Sequence, residues 1–199
     1  KSTVDIIDST TNGPELYNND AFGYSIANIG DLDGDGVNDL AAGAISDNGS
    51  YHPSPKNLGA IHIMFLNTDG SVKSTVEIDN TSNNGPSLNF NDAFGTAITN
   101  MGDLDGDGVN DLAVGASLDD SPGSNRGAVY IMFMDTDGSI KSTVAINDST
   151  TNGPALGNGY HFGRAAANIG DLDGDGVNDL AVGTPLDSDA GTKRGAVHI

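Results

Sequence analysis

The nine residues Asp31-Leu32-Asp33-Gly34-Asp35-Gly36-Val37-Asn38-Asp39 recur letter for letter at 103–111 and again at 171–179. A chain that repeats itself at intervals of 72 and then 68 residues has to fold as an array of like units, each burying its apolar surface against the next. The repeat also dictates local chemistry. Carboxylates at positions 1, 3, 5 and 9, with a backbone carbonyl at position 7, converge on one point if the chain curls tightly. That suits a hard cation such as Ca²⁺, which takes about six to eight oxygens at about 2.3–2.6 Å. Gly36, Gly108 and Gly176 fall at position 6, where the curl needs a residue without a Cβ.

The ligands expected in the first loop are Asp31, Asp33, Asp35, the carbonyl of Val37, and Asp39. In the second they are Asp103, Asp105, Asp107, Val109 and Asp111, and in the third Asp171, Asp173, Asp175, Val177 and Asp179, giving three Ca²⁺ per chain. Asp-Gly pairs also make ordinary acidic turns. Four carboxylates within nine residues repel one another strongly without a cation, which argues against that reading. Position 12 holds Ala42, Val114 and Val182 where a helix-loop-helix calcium motif places a bidentate Glu, so the loop is not of that kind. The apolar run Leu40-Ala41-Ala42-Gly43-Ala44 follows instead and predicts a strand. Without the bidentate Glu the affinity belongs to the extracellular range of about 10⁻⁴–10⁻³ M.

Composition agrees with that setting. The net charge is −20, from 28 acidic against 8 basic residues, and it argues against nucleic acid and anionic membranes as partners. With no cysteine there are no disulfides or thiolate metal sites. Neither a signal peptide nor an apolar run of about 20 residues is present, so no membrane insertion is expected. The chain opens on Lys1 and reads as a mature or excised segment of a secreted protein. Triplets at Asn48, Asn80 and Asn147 fit the glycosylation acceptor, making a glycoprotein possible.

Similarity extends beyond the loops. Phe22-Gly23, Phe94-Gly95 and Phe162-Gly163 precede them, and Gly59-Ala60-Ile61-His62, Gly127-Ala128-Val129-Tyr130 and Gly195-Ala196-Val197-His198 follow, with the length and β-branched content of strands. Asp69-Gly70 and Asp137-Gly138 supply hairpin turns into Lys73-Ser74-Thr75-Val76 and Lys141-Ser142-Thr143-Val144. Each period thus encodes four strands, with the calcium loop between the first and second. The expected fold is all-β, made of β-propeller blades of four antiparallel strands. The divisions are 1–8 as the last strand of a preceding blade, 20–80 with loop 31–39, 92–148 with loop 103–111, and 161–199 as an incomplete blade with loop 171–179. The small residues of 40–44 suit strands crowded between sheets. The polar stretch Asn80 to Asn91 reads either as a connection between blades or as flexible linker.

Phe-Gly, the Asp-x-Asp-x-Asp-Gly-x-x-Asp loop and the following Gly-Ala resemble the FG-GAP repeat. That repeat is found in the N-terminal propeller of integrin α subunits and in many bacterial and archaeal surface proteins. The family ends its motif Gly-Ala-Pro, where this chain has Gly43-Ala44-Ile45, Gly115-Ala116-Ser117 and Gly183-Thr184-Pro185. The resemblance implies calcium at the aspartates already named and an integrin-like role. Because the chain begins and ends within a blade, ring or filament association through unpaired edges is an expectation.

Catalytic residues are not evident, and no enzyme is expected. Of the histidines, His62 and His198 share the slot of Tyr130, His161 replaces Ala93 ahead of Phe-Gly, and His52 lies in the insertion Tyr51 to Pro55. No Gly-x-Ser-x-Gly elbow, His-Glu-x-x-His, phosphate-binding glycine loop or Arg-Gly-Asp occurs. The expected role is an extracellular calcium-binding module for adhesion, recognition or surface and filament architecture, with a protein or glycan ligand. The alternative is the non-catalytic propeller portion of a secreted hydrolase or lyase. Contacts would lie on the loops joining second and third strands, where Arg126, Lys193 and Arg194 read as exposed edge charges.

Overall fold

The computed structural model describes residues 3–49 and 57–199, and among them eleven strands and no α-helix are present. Strands β1 (Phe22–Gly30), β2 (Asp39–Ala44), β3 (Ala60–Leu66) and β4 (Val72–Ile78) form one antiparallel sheet in chain order. Its repeat is β5 (Phe94–Gly102), β6 (Asp111–Ala116), β7 (Ala128–Met134) and β8 (Ile140–Ile146). A three-stranded sheet follows, of β9 (Ala165–Asn168), β10 (Leu180–Thr184) and β11 (Ala196–His198). Leu40 faces Met64 as Leu112 faces Met132, so the registers of the first two sheets coincide.

Burial explains the pattern of each strand. β3 is buried from Ala60 to Phe65 and apolar there except at His62, as suits a strand covered by neighbouring sheets. In β4, Val72 and Ile78 are buried and Lys73 and Ser74 exposed. The main core lies between sheets: Ile61, Ile63 and Phe65 of the first sheet share one cluster with Phe94, Leu112, Val114 and Met132 of the second. Each such side chain contributes about 1.5–3 kcal/mol over leaving it in water.

The Phe-Gly and Gly-Ala elements latch one sheet to the next. The Phe94 N–H donates to Leu58 O at 3.0 Å and the Phe162 N–H to Arg126 O at 2.8 Å. A Cβ on Gly43 would fall 2.2 Å from Gly95 O, and one on Gly115 2.0 Å from Gly163 O. Glycine is required there by close approach. At Gly183 the nearest neighbour would be 3.5 Å away. Inner strands converge: Arg164, beside β9, stacks 5.2 Å from the centroid of Tyr24 on β1.

The polar stretch after β4 is an ordered connection. Asn84 takes a positive φ of 56°, its carbonyl accepts from Thr143 Oγ1 at 2.6 Å, and its amide donates to Ile140 O at 3.1 Å, so it lies along β8. Asn12 repeats the arrangement on β4 through Thr75. Of the strand expected over 1–8, Lys1 and Ser2 lie outside the described residues and Thr3–Ile7 joins no sheet. Ile6 instead packs on Ala42, Met64 and Val72. His52 and the insertion at 51–55 also lie outside the described residues. Asn48 is buried, with its amide donated to Ser46 O. No helix among the described residues is long and apolar enough to cross a membrane.

Candidate metal centre

Each loop is shaped by its own aspartates. Asp31 leaves β1 and accepts the Asp35 N–H on Oδ1 at 2.9 Å and the Gly36 N–H on Oδ2 at 2.8 Å. Asp35 Oδ1 accepts the Val37 N–H at 2.9 Å. Gly34 and Gly36, at φ +76° and +89°, make the reversal that lets these bonds form. Asp39 opens β2, is buried, and accepts the Leu32 N–H at 2.9 Å and the Leu66 N–H at 3.0 Å. A register shift between Phe65 and Leu66 in the β3–β4 ladder frees that second N–H. Asp111 repeats this with Leu104 at 2.8 Å and Met134 at 2.9 Å, and Asp179 with Leu172 at 2.7 Å.

Three of the expected ligands converge in every loop. One carboxylate oxygen each from Asp31, Asp33 and Asp39 lies within 4.8 Å of the others, and so do those of Asp103, Asp105 and Asp111 and of Asp171, Asp173 and Asp179. Two oxygens bound to one ion at about 2.4 Å can be at most about 4.8 Å apart, so these trios fit a single divalent cation. The fifth-position carboxylates, Asp35, Asp107 and Asp175, stand outside the trios. Val37, Val109 and Val177 donate their N–H groups to those same fifth-position carboxylates.

Lysines from the fourth strand meet the first two loops. Lys73 Nζ lies 2.6 Å from Asp33 Oδ2 and 2.7 Å from Asp35 Oδ2. Lys141 Nζ lies 2.8 Å from Asp105 Oδ2 and also pairs with Asp107. Hydrogen bonds from these ammonium groups hold the Asp35 and Asp107 carboxyls below the usual range, whereas burial pushes Asp39 and Asp111 above it.

The eighth loop position, absent from the expected ligand set, joins blades. Asn110 Nδ2 donates to Ile29 O at 2.9 Å and Asn178 Nδ2 to Met101 O at 2.8 Å, each reaching the strand that precedes the neighbouring loop. Asn168 Nδ2 likewise donates to Asn100 O at 3.0 Å. At the far end of the blades, buried Asp47 and Asp119 meet His62 Nε2 at 3.2 Å and the Tyr130 hydroxyl at 2.7 Å. The sequence carries a trace of this, since Asp47, Asp119 and Asp187 all stand four residues after the glycine of Gly-Ala or Gly-Thr. Arg126 is not a free edge charge: it pairs with Asp148 and donates to Asn158 Oδ1 at 2.8 Å.

The FG-GAP repeat model matches residues 22–64, 94–132 and 162–199, well over half of the chain. The chain belongs to the FG-GAP repeat family. Among curated relatives of this FG-GAP chain, Integrin alpha-PS5 of Drosophila melanogaster is 33% identical over 165 residues, covering 82% of the chain and 15% of the relative. Integrin alpha-4 of Xenopus laevis is 30% identical over 170 residues, with 85% and 15% covered. Phosphatidylinositol-glycan-specific phospholipase D of Bos taurus is 32% identical over 177 residues, with 84% and 19% covered. The chain thus spans less than a fifth of the length of these relatives.

Proposed function

We propose that this FG-GAP chain is part of an extracellular or cell-surface calcium-binding β-propeller that serves adhesion, recognition or surface architecture and has no catalytic activity of its own. The observation that carries the reading is the convergence of three carboxylates in each of three identical loops. Oxygen-only donors favour a hard cation over zinc. In the proposed site the fifth-position Asp and the Val carbonyl join each trio once an ion is bound, and water completes the shell. Loops of about 10⁻⁴–10⁻³ M affinity fill at extracellular calcium and not at cytosolic levels. The integrin alpha relatives support adhesion through a protein or glycan ligand.

Closure belongs to the same reading. Gly183 and Gly195 reproduce the surface that receives Phe94 and Phe162 in the other blades, so a further Phe-Gly fits there, from the same polypeptide or from another copy. Light scattering on the 199-residue chain checks the second route, with ring or filament masses expected and a compact monomer contradicting it.

Calorimetric titration of chelator-treated protein with Ca²⁺ tests the metal assignment. Three ions per chain are expected, and fewer than two, or a preference for Zn²⁺, overturns it. The phospholipase relative favours one second reading, the non-catalytic propeller portion of a secreted hydrolase. Hydrolase activity of the full-length parent that maps outside 1–199 would select it.

A further inference from the structure

Of only 8 basic residues in the chain, Lys73 and Lys141 occupy the same position in successive repeats, and both reach from the fourth strand to the loop of their own blade. Neither ammonium group is held by packing, since the two side chains are 42% and 28% exposed. What they meet is specific. Each bridges the third- and fifth-position carboxylates, so one lysine partner, Asp33 or Asp105, is also a member of the metal trio. Among the described residues no lysine or arginine pairs with Asp173 or Asp175 of the third loop.

We infer that Lys73 and Lys141 are tethered competitors of the metal ion: each stands in for the cation when its loop is unloaded, and each must yield Asp33 and Asp35, or Asp105 and Asp107, when the ion enters. Two physical facts lead there. Like charges sharing a carboxylate sit only a few ångströms apart and repel even at water-like dielectric. The fifth-position carboxylates already give one oxygen to a backbone N–H and the other to the ammonium group, so an ion that recruits them competes with the lysine for the same carboxylate. The first two loops therefore bind more weakly than an identical sequence without the lysine, and keep their shape better when metal is scarce. The third loop serves as the internal reference.

The inference rests on the calcium reading above, and the test separates the two. Ca²⁺ is titrated calorimetrically into the 199-residue chain, its Lys73→Met and Lys141→Met variants and the double variant, and each is melted in chelator. The expected result is that the double variant binds two of its ions about tenfold more tightly, with the third unchanged, and melts at a lower temperature than wild type in chelator. Lys73→Arg, which keeps the charge, is expected to retain wild-type affinity. Methionine variants with unchanged or weaker calcium affinity, or with an unchanged melting temperature in chelator, overturn the competitor role. A wild-type chain that takes up no calcium overturns the calcium reading and this inference with it.

Discussion

The two ends of each blade handle buried negative charge in opposite ways. At the end formed by the β1–β2 and β5–β6 loops, carboxylates are aimed at one another and held apart from solvent only in part, and the proposed ion would balance them. At the opposite end buried Asp47 and Asp119 are each satisfied from within, by a side chain, His62 or Tyr130, and by a backbone N–H, Gly49 or Ser121. A site that depends on an ion demands the same residues each time, and the three loops are identical. A site satisfied by a neighbouring side chain needs only a donor, and there the sequence varies between His and Tyr. The aromatic slot allows the exchange, since His62, Tyr130 and His198 all meet the repeat phenylalanine edge to face at 5.5, 5.9 and 5.5 Å.

Removing the residue common to the metal trio and the backbone frame should have the largest effect. Asp111→Ala strands the buried N–H of Met134 and the part-buried N–H of Leu104, at about 1–3 kcal/mol each, and should lower stability in chelator by about 2–5 kcal/mol. Asp111→Asn should cost less, and urea unfolding of both measures the difference. If the two variants were equally mild, the loop end would owe its shape to something other than these bonds.

The latch between sheets comes next. Gly115→Ala places a Cβ against Gly163 O and should cost about 1–3 kcal/mol, while Gly183→Ala, which meets only ordinary van der Waals neighbours in the unassociated chain, should stay within about 0.5 kcal/mol there. Thermal melts of the pair check the contrast.

Acidity sharpens the far-end comparison. Burial pushes the Asp92 carboxyl up to about 7, and one of its oxygens has no hydrogen-bond partner among the described residues. A carboxyl whose folded pKa exceeds its unfolded value of about 3.9 stabilises the protein most fully below that value, and loses the contribution as pH rises through about 7. The melting temperature should fall between about pH 4 and 7, and Asp92→Asn should flatten that fall. Smallest is Tyr130→Phe, which removes the hydroxyl's hydrogen bond to Asp119 and should cost about 1 kcal/mol by urea titration.

Much of this was legible from the repeat. Strand order, the hairpins at Asp69-Gly70 and Asp137-Gly138, and the crowding of 40–44 follow from period, turn chemistry and residue size. The convergence of first, third and ninth aspartates follows from their spacing. Other features depend on partners far away in the chain: the Asn110 bond to Ile29 spans 81 residues, and Lys73 meets Asp33 across 40. No local pattern encodes such pairings; the only trace is that Asn and Lys recur at fixed repeat positions. The ordered course of 80–91 depends on such a distant pairing, since Asn84 bonds to Ile140 and Thr143 of β8.

The central claim is that one end of the blades is completed by an ion and the other by internal bonds. Amide hydrogen exchange with and without Ca²⁺ reads both ends at once. The account predicts that calcium slows exchange across 31–39, 103–111 and 171–179 and leaves the amides around Asp47, Asp119 and Asp187 unchanged. Protection spread evenly over both ends, or none in the three loops, would contradict it.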